Sequence, residues 1–267
     1  MRPAGAHAGP DKDTALEAAF EKIRTVPAYR VLAEAMIERI LDGSLREGDP
    51  LPTEAKLCEM FGVNRSTVRE GIRVLEEANL VRREHAKKMV VTRPSEAEVG
   101  KQLERALVLH EIVFDELWQA MSVLEPPMAR LAAARATPEA LERLDDNLRR
   151  TELALKAGDS LVELDIEFHG IVAGMSGNRA LVLAREPLSR LFYPAFAAVM
   201  TRVPVAGKRL LDAHKAIVAA IRAGDEAAAE TWMEKHVQDF RRGYQAAKLD
   251  LQSPVASPHR VAGARGE

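Results

Sequence analysis

PTEAKLCEMFGVNRSTVREGIRVLEEANLV, residues 52–81, reads as two short helices meeting at a tight turn. Thr53 is placed to cap the first helix, on which Leu57 and Phe61 sit four apart on one face. Gly62 permits the turn, and Asn64 is placed to cap a second helix whose first turn holds Arg65, Ser66 and Thr67. Val68, Ile72 and Leu75 supply the inward stripe of that helix, leaving Arg65, Ser66, Thr67, Arg69 and Arg73 for its other faces. A helix N-terminus presents free N–H groups and partial positive charge, which suits a phosphate. Arginines in the first turns of such a helix can fork onto O6 and N7 of guanine. Taken alone, the pair fits an ordinary amphipathic helix with solvated arginines equally well.

The flanks decide between the two. Residues 80–83 and 89–92 read as short strands around the basic turn Glu84-His85-Ala86-Lys87-Lys88, so the helix pair is followed by a two-stranded wing. Upstream, residues 29–41 carry Leu32, Met36, Ile37, Ile40 and Leu41 at helical spacing and close on Asp42-Gly43. The sum is a winged helix-turn-helix.

The run ILDGSLREGDPLPTEAKLCEMFGVNRSTVREGIRVLEEANLV resembles the DNA-binding domain of the GntR family of bacterial transcription regulators, continuously from Tyr29 to Arg93. The resemblance implies that Arg65, Ser66, Thr67 and Arg69 contact DNA, with His85 and its wing neighbours reaching the minor groove. Thr53 and Lys87 complete the expected DNA-binding set. Two departures stand out: Ala55 replaces the family's usual Arg, and Ala86 and Lys88 stand where the wing usually has glycines. Lys87 and Lys88 can replace part of that contact as phosphate-binding charge.

The chain has 267 residues, enough for two domains, and is 47% hydrophobic and 29% charged, an ordinary globular balance. A net charge of −2 excludes a nonspecific polycation. Residues 29–93 carry 12 Lys and Arg against 11 Asp and Glu, so DNA affinity must come from where the charges sit and from two copies acting together. The single cysteine, Cys58, excludes an intrachain disulfide and a multi-cysteine zinc site; within the first motif helix it reads as a small core residue. With no apolar signal core or membrane-length apolar run, the expected location is the cytoplasm, with no membrane partner.

The domain division expected is an N-terminal extension at 1–25, largely disordered with a short helix at 14–25. A DNA-binding domain follows at 26–93, an all-helical domain at 95–249, and a disordered tail at 250–267. Ser95 with Glu98 forms a capping box that opens the second domain. Helices are predicted at 97–109, 111–136, 139–157, 160–175, 179–199, 204–223 and 225–249, with bends at Pro126-Pro127 and at Pro187 and Pro194. The fold class is therefore mainly α, a winged helix-turn-helix followed by a helical bundle.

Within that bundle, Asp165 and His169 lie four apart and project from one helix face. His214 precedes Ile217, Val218 and Ile221, and His236 follows Trp232 by four, so both sit beside apolar stripes where an unpartnered imidazole is costly. Three facing helices can gather these four residues around a divalent cation, although each histidine can equally be a hydrogen-bonded core residue. Imidazoles with one carboxylate suit Zn²⁺, Ni²⁺, Mn²⁺ or Fe²⁺.

VLEPPMARLAAARAT, DIEFHGIVAGMSGN, DAHKAIVAAIRAGD and the final His236 resemble the FCD domain, the helical effector domain of FadR-type GntR regulators, over residues 97–249. The resemblance implies that Asp165, His169, His214 and His236 bind a metal, Zn²⁺ foremost. Many relatives carry an effector-anchoring Arg four residues before the Glu of the Leu124-Glu125 pair; here that position is Met121. The expected effector contacts are then Asn178, Arg130, Arg190 and Tyr193. The function implied is a homodimeric regulator, a repressor first, that binds a palindromic operator and is released by a small metabolite such as an organic acid. A metal sensor and a metalloenzyme are the alternatives, the latter disfavoured because no nucleophile or general base sits beside the ligands. No enzymatic activity is expected.

Overall fold

The computed structural model describes residues 26–84 and 88–255. The expected N-terminal extension, His85, Ala86, Lys87 and residues 256–267 lie outside them. Two compact units divide between Pro94 and Ser95.

In the first unit, α1 (Ala28–Leu41) precedes α2 (Glu54–Phe61), α3 (Arg65–Glu77), β1 (Val81–Arg83) and β2 (Met89–Val91). The Thr53 side chain accepts from Lys56 N and caps α2, while Gly62, at φ 63, turns the chain out of it. Asn64 Oδ1 accepts from Thr67 N at 2.9 Å and from the Ser66 hydroxyl at 2.7 Å, so the start of α3 is fixed by its own side chains. Helices α1 and α3 touch closely because residue 71 is glycine: a Cβ there would lie 2.6 Å from Leu32 Cδ2 and 3.2 Å from the Tyr29 carbonyl oxygen. The strands pair antiparallel, with Val81 opposite Val91 and Arg83 opposite Met89, and Pro50 bridges to Val90. Leu32, Met36, Leu57, Val68, Ile72 and Leu75 fill the core, with Cys58 and Phe61 partly buried against it. Leu41 departs from expectation. It is 78% exposed, because α1 ends there and turns its last residue away from the core.

The second unit is built from seven helices among the described residues: α4 (Glu96–Leu109), α5 (Phe114–Ala134), α6 (Pro138–Ala157), α7 (Val162–Met175), α8 (Arg179–Arg202), α9 (Ala206–Arg222) and α10 (Glu226–Ala246). The expected Ser95–Glu98 capping box forms, and Thr137, Asn178 and Asp225 cap α6, α8 and α10. Helices α5 and α8 run on through Pro126, Pro127, Pro187 and Pro194. The main core joins α5, α6, α7, α9 and α10 through residues such as Met128, Leu144, Phe168, Ile217, Ile221 and Met233. No helix among the described residues is long and apolar enough to cross a membrane.

The expected tail at 250–267 is corrected over residues 250–255. Phe114 N donates to the Ser253 carbonyl at 3.1 Å, Asp115 N to that of Leu251 at 3.0 Å, and Val255 N to that of Ile112 at 2.8 Å. The first N–H groups of a helix lack intrahelical partners, and this segment supplies them for α5. Leu251 also packs on the cluster around Phe114 and Tyr244. The Pro and Ser content suggested disorder, but it does not reveal the backbone carbonyls offered to a helix start.

Candidate functional site

In the first unit, the start of α3 and the N-terminus of α2 border an open groove of about 900 Å³, lined by Thr53, Glu54, Arg65, Arg69, Arg73 and Lys88 among others. Arg65, Ser66 and Arg69 are exposed and Thr67 is half-buried. Arg69 Nε donates to Glu54 Oε2 at 3.0 Å, and Arg65 Nε lies 3.6 Å from the same oxygen. Arg73 sits between Glu70 and Glu77 at 3.3 and 3.4 Å. The Thr53 hydroxyl oxygen accepts from its own helix, which leaves its proton for an outside acceptor. Glu84 N donates to the Lys88 carbonyl at 2.7 Å and closes the base of the wing. The groove thus gathers the Thr53 hydroxyl and the Arg65, Arg69 and Arg73 guanidinium groups on one surface, interleaved with Glu54, Glu70 and Glu76, and such guanidinium groups suit phosphates and guanine edges.

The second unit holds the other site. Asp165 and His169 project from α7, His214 from α9 and His236 from α10, and one donor atom of each lies within 4.8 Å of the others. His169 Nε2 is 3.2 Å from His236 Nε2, Asp165 Oδ1 is 3.8 Å from His169 Nε2, and 3.5 Å separates Asp165 Oδ1 from His214 Nε2. All four residues are buried. Phe168 stacks on the His214 ring at 3.6 Å between centroids and fixes its plane. Glu125 Oε2 lies 3.0 Å from His169 Nδ1. With its proton on Nδ1, that imidazole donates outward to Glu125 and turns its Nε2 lone pair to the cluster.

The electrostatics favour ligand-like protonation at His214 and His236, whereas at His169 burial is outweighed by Glu125 and Asp165, which raise its pKa. Burial pushes His214 well down and His236 down to about 3, with His169 adding to both, so these two rings stay neutral with free lone pairs. Burial raises the Asp165 carboxyl to about 6. Burial also works against the Glu125 carboxylate, but Arg185 and His169 outweigh it and hold the group at about 2.

The residues fit a divalent cation. Asp165 Oδ1 and both nitrogens of His214 are buried without a hydrogen-bond partner, a rare condition for buried polar atoms. Two imidazole nitrogens 3.2 Å apart also need a proton or a cation to join them. Three imidazoles and one carboxylate converging on a point answer both conditions.

Beside this cluster lies a cavity of about 30 Å³, room for roughly one water, lined by Met121, Glu125, Arg185, Ser189 and Tyr193 together with Asp165, His169 and His236. Of the four expected effector residues, only Tyr193 reaches it. Asn178 spends its side-chain oxygen on Ala180 N and Leu181 N, capping α8. Arg130 pairs on the surface with Glu226 and Glu230 at 3.4 and 3.6 Å, and Arg190 with Glu186 at 3.0 Å. Those three do not line the cavity.

The cation in the cavity wall is Arg185, which sequence reasoning missed. Its Nε donates to Glu125 Oε1, and it sits buried beside Tyr193. Arg185, Ser189 and Tyr193 follow one another at four-residue spacing on α8. That repeat of polar groups along one helix face was the available signal.

Comparison with known proteins identifies both units. Residues 28–91 match the family described as bacterial regulatory proteins, gntR family, and residues 116–239 match the FCD domain. The HTH-type transcriptional repressor NanR of Cronobacter sakazakii is 28% identical over 236 residues, spanning 85% of this chain and 91% of that protein. An uncharacterized HTH-type transcriptional regulator of Mycobacterium tuberculosis, Rv0494, is 32% identical over 209 residues, spanning 77% of this chain and 85% of its own length. Among solved structures, the Streptococcus agalactiae GntR superposes with a TM-score of 0.58 at 28% identity, covering 80% of this chain and 99% of that one. These relatives are regulators rather than enzymes. With a helix-turn-helix unit and an FCD unit in one polypeptide, the chain belongs to the GntR family and is a DNA-binding transcription regulator.

Proposed function

We propose that the chain is a cytoplasmic, homodimeric repressor of the FadR type that binds a palindromic operator and releases it when a small organic acid occupies the helical domain. The observation that carries this reading is the buried Asp165/His169/His214/His236 cluster with its unpartnered donor atoms, open to a cavity walled by Arg185. Asp165, His169, His214 and His236 would hold the metal, Zn²⁺ by donor type. When bound, a divalent cation supplies fixed positive charge and an open coordination position for a carboxylate oxygen. Arg185 supplies the second cation, and Ser189 and Tyr193 offer hydroxyl groups. Glu125 fixes the tautomer of His169 and the place of Arg185 together.

At about 30 Å³ the cavity is too small for an organic acid until α8 shifts from α5 and α10. A ligand that fits only the widened form binds the two forms unequally, which is the condition for an effector to shift an equilibrium. In the DNA-binding unit, Arg65, Ser66, Thr67 and Arg69 face the operator, with Thr53, His85 and Lys87 on phosphates or the minor groove. Arg65→Ala and Arg69→Ala should each abolish operator binding while the protein stays dimeric and folded. Full affinity in both variants contradicts the assignment. The effector site is tested by titrating Zn²⁺-loaded protein on its operator with small mono- and dicarboxylates. Release that requires both metal and acid supports the reading. Release by metal alone favours a metal sensor instead.

A further inference from the structure

Helix α3 starts with two arginines one turn apart, Arg65 and Arg69, whose like charges repel along the same face. Between them, from the first residue of the neighbouring helix α2, comes the carboxylate of Glu54. Its Oε2 is 3.0 Å from Arg69 Nε and 3.6 Å from Arg65 Nε. Both guanidinium groups are therefore approached on their Nε edge. Among the described residues, their terminal amino groups make no hydrogen bond.

From this geometry we infer that Glu54 is the positioning residue that sets sequence discrimination by the recognition helix. The inference rests on Arg65 and Arg69 facing DNA, as proposed above. Glu54 acts in two ways. Bonding the Nε edge of Arg69 and attracting that of Arg65 by charge presents the two-amino end of each guanidinium outward, the fork that matches O6 and N7 of guanine. Placing a negative charge between the two arginines also penalises any arrangement that brings a phosphate to the same spot. A base edge, being uncharged, meets no such penalty. Backbone contacts supply affinity without sequence information, so an acid that suppresses them at this position raises discrimination at the expense of nonspecific binding.

The test compares the unaltered full-length protein with Glu54→Gln and Glu54→Asp, on two probes over a range of salt concentrations. One probe is the duplex enriched from a random-sequence pool by the unaltered protein, and the other is unselected duplex of equal length. Gln keeps the size and loses the charge. It should weaken binding to the enriched duplex by on the order of tenfold, the scale of one base contact, and tighten binding to unselected duplex. Glu54→Asp, which keeps the charge on a shorter stem, should recover part of the ratio. Thermal unfolding checks that loss of an acid at the start of α2 has not unfolded the unit. If Glu54→Gln fails to fold, the Glu54→Asp ratio decides alone, and an unchanged ratio overturns the inference. An equal gain on both probes also overturns it, since the carboxylate is then bulk charge only. So does an unchanged ratio in a folded Glu54→Gln. If Arg65→Ala and Arg69→Ala leave affinity intact, the DNA-facing assignment itself has failed. If they abolish binding while Glu54→Gln keeps the ratio, only the role of Glu54 has failed.

Discussion

Arg185 and Glu125 form the buried ion pair on which the helical domain's polar site depends, and breaking it has a predictable size. They are 4% and 0% exposed, and Glu125 is shared between Arg185 on one oxygen and His169 on the other. Arg185→Met replaces the guanidinium by an apolar chain of similar length and leaves a buried carboxylate with one donor. Removing one partner of such a pair costs about 3–5 kcal/mol, and the surviving His169 contact places this case near the lower end, about 3 kcal/mol. Glu125→Leu strands a buried guanidinium and an imidazole N–H together, so it should cost at least as much. The double variant removes both charges, leaves the His169 N–H unmatched and takes the guanidinium from Tyr193, a loss of about 1–3 kcal/mol. The singles therefore sum to well above the double, with an interaction free energy of about 3–5 kcal/mol. Urea unfolding followed by tryptophan fluorescence reads this directly, because both tryptophans, Trp118 and Trp232, lie in the helical unit. Additive singles, within about 0.5 kcal/mol, would refute the description of Arg185 and Glu125 as a coupled buried pair.

Gly71→Ala should destabilise the DNA-binding unit by about 1–3 kcal/mol and weaken DNA binding, because its Cβ would meet Leu32 Cδ2 at 2.6 Å; thermal unfolding and a gel shift check it. Ending the chain after Leu249 removes the carbonyls that accept from Phe114 N and Asp115 N, and the Val255 bond to Ile112. At about 0.5–1.5 kcal/mol per hydrogen bond, the loss should be about 2–4 kcal/mol in the helical unit; wild-type stability would show the segment to be dispensable. Chelation should lower the thermal midpoint of the metal-loaded protein, whereas His214→Ala should bind less metal by elemental analysis and show no chelator-dependent shift. Equal metal content in both proteins would remove His214 from the ligand set.

The DNA-binding half was legible because its signals are local. Thr53, Gly62 and Asn64 each act within four residues of their own position, and caps and glycines do not depend on distant partners. The helical half was legible as helices for the same reason, with ends displaced by a few residues. Its site was legible only in part. Asp165 and His169 announce a shared face by spacing, but bringing His214 and His236 to that face is a tertiary event, foreseen through the family resemblance rather than from period. Arg185 escaped notice because its partner, Glu125, is 60 residues away and its own neighbourhood reads as an ordinary helix. Arg130 and Arg190 attracted attention as nearby cations, yet Glu226, Glu230 and Glu186 engage them on the surface. Asn178 was expected at the effector, and its position before α8 makes it a cap.

We propose that one chain couples a sequence-reading helix-turn-helix to a helical domain whose buried Asp165, His169, His214 and His236 hold a metal. The most direct test is selection of genomic fragments by the purified full-length protein, with and without added Zn²⁺, followed by footprinting. One short two-fold symmetric sequence should be enriched, protected on both half-sites and lost in Arg65→Ala and Arg69→Ala. Failure to enrich any sequence under either condition would contradict it.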